Sequence, residues 1–134
     1  MTTTRLDRHP YPRNRKGRNM DHALLINAGI DCKVGIGRCM GNEALYSRLL
    51  SRMLDDTNVP RTRAFLAEQD YEGAYARLHE LKGVSGNLGM DRVFEISSAM
   101  LRLMRENDYE NLSQHIDDLE IAFNDAIVAI RAAL

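Results

Sequence analysis

His79 and Lys82 stand three residues apart in the stretch HELKGVSGNLG, residues 79 to 89. On a helix that spacing makes the two side chains neighbours on one face. A neutral imidazole nitrogen is a good nucleophile near pH 7. A phosphoryl group taken up there brings up to two negative charges, which a lysine ammonium one turn away can offset as a point charge. The same stretch also contains Gly83, Gly86 and Gly89. A glycine inside a helix costs about 1 kcal/mol relative to alanine, so the cost requires a reason.

Winding residues 71 to 88 at about 100° per residue collects Ala74, Leu78, Leu81, Ser85 and Leu88 on one arc, which is the expected core face. His79 falls well off that arc. The residues nearest its direction are Glu72, Tyr75, Lys82, Gly83 and Gly86. The imidazole is therefore expected in solvent. Gly83 and Gly86, one and two turns onward on the same face, leave bare backbone where a larger side chain would crowd an approaching partner. Gly89 follows Leu88 and suits the left-handed residue that closes a helix.

The elements that must hold this helix are legible from caps and apolar periods. Asp31 can cap a short helix with Cys32, Ile36, Cys39 and Met40 inward, closed by Gly41. Asn42 can cap a second helix running to about residue 56, with Leu45, Leu49, Leu50, Met53 and Leu54 on one stripe. Asn58 and Pro60 read as its continuation after a kink, because a proline in the first turn loses no intrahelical bond. Two segments then begin alike, Asp70-Tyr71-Glu72 and Asp108-Tyr109-Glu110, and both are expected to start helices. Between them Asp91 can cap a helix with Val93, Phe94, Ser97, Met100, Leu101 and Met104 inward. The last helix carries Leu112, Ile116, Leu119, Phe123, Ala126, Ile127 and Ile130 on a stripe sustained to the C-terminus. Long helices on short connections run antiparallel to their neighbours. The expected fold class is all-α: an antiparallel up-and-down four-helix bundle with a short additional N-terminal helix.

Composition and charge fit one domain. A chain of 134 residues buries about two-thirds of its unfolded surface in a single core. The net charge of −1 hides a division: six basic residues against Asp7 give residues 1 to 19 a charge of +5, leaving −6 on the remainder. Residues 1–20 read as a basic arm, disordered or an appended non-native segment, and 21–134 as the folded domain. An acidic helical domain is a poor match for nucleic-acid phosphates. No apolar run approaches the roughly 18 residues a bilayer span needs, and no apolar core of the kind a secretory signal requires follows the basic N-terminal residues. Cys32 and Cys39 lack a partner pair at zinc spacing and read as small buried apolar side chains.

His79-Glu80-Leu81-Lys82-Gly83 followed by Asn87-Leu88-Gly89 resembles the signature of histidine-containing phosphotransfer (HPt) domains, H-x-L-K-G with a downstream N-L-G. Upstream, Gly29-Ile30-Asp31, Gly35-Ile36, Arg38, Gly41-Asn42-Glu43 and Leu45-Tyr46 resemble the opening of the type found at the C-terminus of hybrid sensor histidine kinases. The likeness spans about residues 29 to 134. Two departures are Leu78, where the family often has alanine, and Pro60, which interrupts a helix that is commonly longer.

The resemblance implies that His79 is the phosphoacceptor through Nε2, that Lys82 is the electrostatic partner of the phosphoryl group, and that Gly83 gives steric access. It implies a phosphoryl carrier in a two-component phosphorelay, without kinase activity, passing the group to and from receiver-domain aspartates. The implied partners are a response-regulator receiver domain and a hybrid sensor histidine kinase. No small-molecule substrate, nucleic acid or membrane contact by the domain itself is expected, and the domain is expected to be monomeric. It needs no cofactor of its own, since the receiver supplies Mg²⁺. The location implied is cytoplasmic, including as the tail of a membrane-bound sensor kinase. Tyr75, Ala76 and Gly86, with Gly83, form the expected docking patch.

Other readings fare worse. Gly83-x-x-Gly86-x-x-Gly89 and Gly35-x-Gly37 follow no strand, so a dinucleotide-binding loop lacks its context. His9, His22 and His115 are isolated and have no metal-ligand spacing. Asp117, Asp118, Glu120 and Asp125 lie opposite an apolar stripe and read as a solvated face. Two functional alternatives keep the fold: a phosphoacceptor domain of a chemotaxis-type kinase, and a module that binds a response regulator without transfer.

Overall fold

The computed structural model describes residues 20–134; the basic arm and His9 lie outside the described residues. Among these the chain is all-helical: α1 His22–Asn27, α2 Cys32–Arg38, α3 Glu43–Arg52, α4 Asn58–Ala67, α5 Tyr71–Leu88, α6 Asp91–Arg105 and α7 Leu112–Ala133. A 3-10 turn, Met53–Asp55, extends α3. No described helix is long and apolar enough to cross a membrane. The chain pauses at Asp56, extended at ψ 133°, before α4 begins. Pro60 sits in the first turn of α4, so the kink expected there is present at no cost in hydrogen bonds.

Three helix starts follow their sequence signals. Asp31, Asn42 and Asp70 each accept a hydrogen bond from the backbone N–H three residues on, at 3.1, 3.0 and 2.9 Å. The other two do not. Asp91 is the first residue of α6 and Met90 its uncapped N-cap, while α7 starts only at Leu112, behind Asn111. Asp108 instead accepts hydrogen bonds from the Asn111 side-chain amide, and the Tyr109 ring stacks on Tyr71 with centroids 3.9 Å apart. A tertiary contact has overridden the local signal.

The core draws on every helix, and α5 lies at its centre, packed most extensively against α4 and α6. Its buried residues are Ala74, Leu78, Leu81, Ser85 and Leu88, the arc read from the sequence. Cys32 and Cys39 are free and buried, and burial pushes the Cys32 thiol up. Met20, placed in the arm by the sequence, is buried, so the core reaches at least that far back. Two residues expected inward are exposed, Met40 at 96% at the end of α2 and Phe94 at 36% on α6, while Leu45, Leu49, Leu54 and Ile127 are half-buried against the core.

Helix α1 is an element the sequence reading does not include, although Asp21 caps it by accepting from the Leu24 N–H at 3.2 Å. It packs on α7, and its His22 ring pairs with the buried carboxylate of Glu43 at the start of α3. On α7, Asp117 and Glu120 pair with Arg63 and Asp125 with Arg92, so the acidic face is partly engaged in ion pairs between helices.

Candidate functional site

The C-terminal end of α5 is fastened from three sides. Gly89 closes the helix at φ 75°, and a Cβ built there would lie 2.2 Å from the Asp31 carbonyl oxygen, so only glycine fits. Across this close approach the Asp31 N–H donates to Gly89 O at 2.7 Å and the Asp91 N–H to Gly29 O at 3.0 Å, flanking an antiparallel bridge between Ile30 and Met90. The buried Tyr46 hydroxyl donates to Leu88 O at 2.6 Å. Burial pushes the Tyr46 phenol far above its ordinary value, so it remains a donor. Gly35 makes room for that ring, since a Cβ there would fall 2.2 Å from a Tyr46 ring carbon. Arg38 reaches over to donate to Gly86 O. The Gly29–Tyr46 segment and the Asn87-Leu88-Gly89 motif are thus one joint.

Two turns earlier, α5 presents a different surface. His79 is exposed and makes no hydrogen bond or ion pair among the described residues. Its ring lies beside that of Tyr75, centroids 6.4 Å apart and planes 29° from parallel. Tyr75 is half-buried, and its hydroxyl accepts from Arg105 of α6 at 3.2 Å. Glu80, the acidic sequence neighbour, is drawn to the other side by Arg77 at 2.9 Å. Lys82 is half-buried and has no carboxylate partner among the described residues. Its ammonium lies 5.9 Å from the centre of the Phe94 ring.

The glycines of this face divide. A Cβ on Gly83 would meet nothing within 4 Å, so the space above it is open. A Cβ on Gly86 would come 3.0 Å from the Phe94 ring. The Gly86 position is therefore fitted to Phe94, beyond any room it leaves for a visitor. Ala76 is exposed, and beside it Tyr71, Glu72, Tyr75, Met104 and Tyr109 line an open groove of about 410 Å³. The face thus gathers His79, Lys82, Gly83, Tyr75 and Ala76 as the sequence expected, and adds Phe94, Arg105 and Arg38.

Those three additions could not be read from α5 alone. Phe94 sits one residue past Val93, at the edge of the apolar arc of α6, where periodicity does not separate core from seam. Arg38 and Arg105 point to their roles only once the helices are packed.

This arrangement is an imidazole in solvent, with a lysine that has no carboxylate partner three residues on and bare backbone at Gly83. The model of the Hpt domain family matches residues 45–133. The chain belongs to the Hpt domain family. That family carries phosphoryl groups on histidine in phosphorelays and works with receiver domains and kinases. No curated protein and no solved structure gives a significant match. The Hpt match begins at Leu45, so α1, α2, Gly35 and Arg38 precede it, while Tyr46, His79, Lys82, Gly83 and Phe94 lie inside it.

Proposed function

We propose that this Hpt domain relays phosphoryl groups through His79 between receiver-domain aspartates. The observation that carries the reading is the exposed, unpartnered His79 with open space over Gly83. Its Nε2 lone pair attacks the phosphorus of a receiver's aspartyl phosphate. The new P–N bond forms as the P–O bond to the aspartyl carboxylate breaks, and the carboxylate leaves with the electron pair. The ring keeps its proton on Nδ1, so the product is a neutral imidazole bearing a dianionic phosphoryl group. Transfer onward is the same exchange in reverse.

Lys82 offsets the added charge, an effect that is strong at short range because no carboxylate competes for its ammonium. Gly83 lets the receiver's acidic pocket come within bonding distance of Nε2. The Mg²⁺ that in-line transfer uses belongs to that pocket. This chain supplies a nucleophile, a leaving group and a docking face of Tyr75, Ala76 and Gly86, and has no kinase activity of its own. The scaffold is an antiparallel up-and-down bundle in which α3 and α4 act as one broken helix beside α5, α6 and α7, with α1 and α2 laid against it. We place the domain in the cytoplasm as a monomer, serving a hybrid sensor histidine kinase and a response regulator.

Incubation with a phosphorylated receiver tests the reading. An acid-labile label should appear on His79 and be absent from His79→Gln. Complex formation without label on the wild-type chain would reject the relay in favour of a binding module.

A further inference from the structure

Resting on the relay reading, we infer that the Phe94 ring is the resting seat of the Lys82 ammonium in the unphosphorylated domain, and that it competes with the phosphoryl group on His79 for that cation. Phe94 is then a positioning residue that acts through Lys82 and sets how strongly His79 retains its phosphoryl group.

Three observations lead there. First, the ring is not core. It stands 36% exposed on α6, against a helix face where Gly86 has no side chain to block it. Second, the Lys82 ammonium lies 5.9 Å from the ring centre, within cation–π range, and pairs with no carboxylate among the described residues.

Third, the direction is wrong for a permanent partner of His79. Along the seam Tyr75 meets Arg105, while Lys82 and Gly86 meet Phe94, so rising numbers on α5 meet falling numbers on α6. Phe94 therefore lies toward the C-terminal end of α5 from Lys82, and His79 lies toward the other end. Side chains on a helix lean toward its N-terminus by default, which for Lys82 is the side of His79. The aromatic ring holds the ammonium away from that default.

A ring face suits such a seat better than a carboxylate. A carboxylate would neutralise the lysine and bind it more tightly than a new phosphoryl group could readily overcome. The ring quadrupole holds the cation weakly and leaves its charge intact. When His79 gains a dianionic group, the ammonium can leave the ring at little cost.

The test uses the full chain, with Lys82 followed by the NMR signals of the methylene next to its amine. Phosphoramidate serves as phosphoryl donor: Nε2 of His79 attacks its phosphorus, the P–N bond of the donor breaks and ammonia leaves. The unphosphorylated wild type should show the Lys82 methylene shifted upfield by the ring, and phosphorylation should remove that shift. In Phe94→Leu the shift should be absent from the outset. With a receiver as donor, the exchange equilibrium should move about two- to five-fold toward phosphorylated His79 in Phe94→Leu, and the other way in Phe94→Trp. In a Lys82→Ala background neither change should matter, which a merely structural role of Phe94 would not produce.

A Lys82 signal unmoved by phosphorylation, a Phe94→Leu equilibrium shifted against His79, or an effect persisting without Lys82 would each overturn the inference. Failure of every receiver to label His79 would reject the relay itself, while the phosphoramidate arm still reads the seat.

Discussion

Two neighbouring stretches, His79 to Gly83 within α5 and Gly86 to Met90 at its end, both contain glycine, yet they use it in opposite ways. Gly89 is filled by its surroundings: its missing Cβ is the space the Asp31 carbonyl occupies. A Cβ on Gly83 would instead meet no neighbouring atom within 4 Å. The closed stretch ties α5 to the N-terminal segment through Asp31, Tyr46 and Arg38. The open stretch is free to receive another molecule. The difference teaches that a glycine's cost to a helix can be offset inside the fold or left to be offset by a partner, and only coordinates tell which.

Substitutions can break that contrast, and the largest effect belongs to Gly89→Ala. It combines a left-handed backbone at φ 75° with a Cβ 2.2 Å from a carbonyl oxygen. A loss of about 3 kcal/mol or more in denaturant unfolding is expected. Next comes the Tyr46 contact. Tyr46→Phe leaves Leu88 O without its buried donor and should cost about 1–2 kcal/mol in the same measurement.

Gly83→Ala lies at the other pole. With no atom within 4 Å of the new methyl, helix propensity alone acts, and the melting temperature should rise by the equivalent of up to about 1 kcal/mol. His79→Gln should have the smallest effect on stability, within about 0.5 kcal/mol by thermal melting, while it abolishes labelling. A large loss of stability there would show that the ring is packed and not presented.

Much of this was legible in the sequence because α5 is strictly periodic. The five buried residues of α5, the exposure of His79 and the left-handed Gly89 all follow from winding one helix. The caps Asp31, Asn42 and Asp70 were legible too, since their hydrogen bonds are local. What escaped depends on neighbours. Asp108-Tyr109-Glu110 carries the same local signal as Asp70-Tyr71-Glu72, yet Tyr109 stacks on Tyr71 and α7 starts later. Phe94 at the arc's edge was drawn out onto the seam by the space at Gly86. Glu43 is buried with His22 of α1 as its partner, a contact between residues 21 apart that no local pattern shows.

The central claim is that open backbone over Gly83 admits a receiver to His79. It is tested most directly by single-turnover transfer from a phosphorylated receiver to the wild type and to Gly83→Leu, with the variant melting no lower than the wild type. The account predicts transfer slowed on the order of a hundredfold by the added side chain, since small misplacements of reacting groups cost that much. Equal transfer rates in two equally folded chains would contradict it.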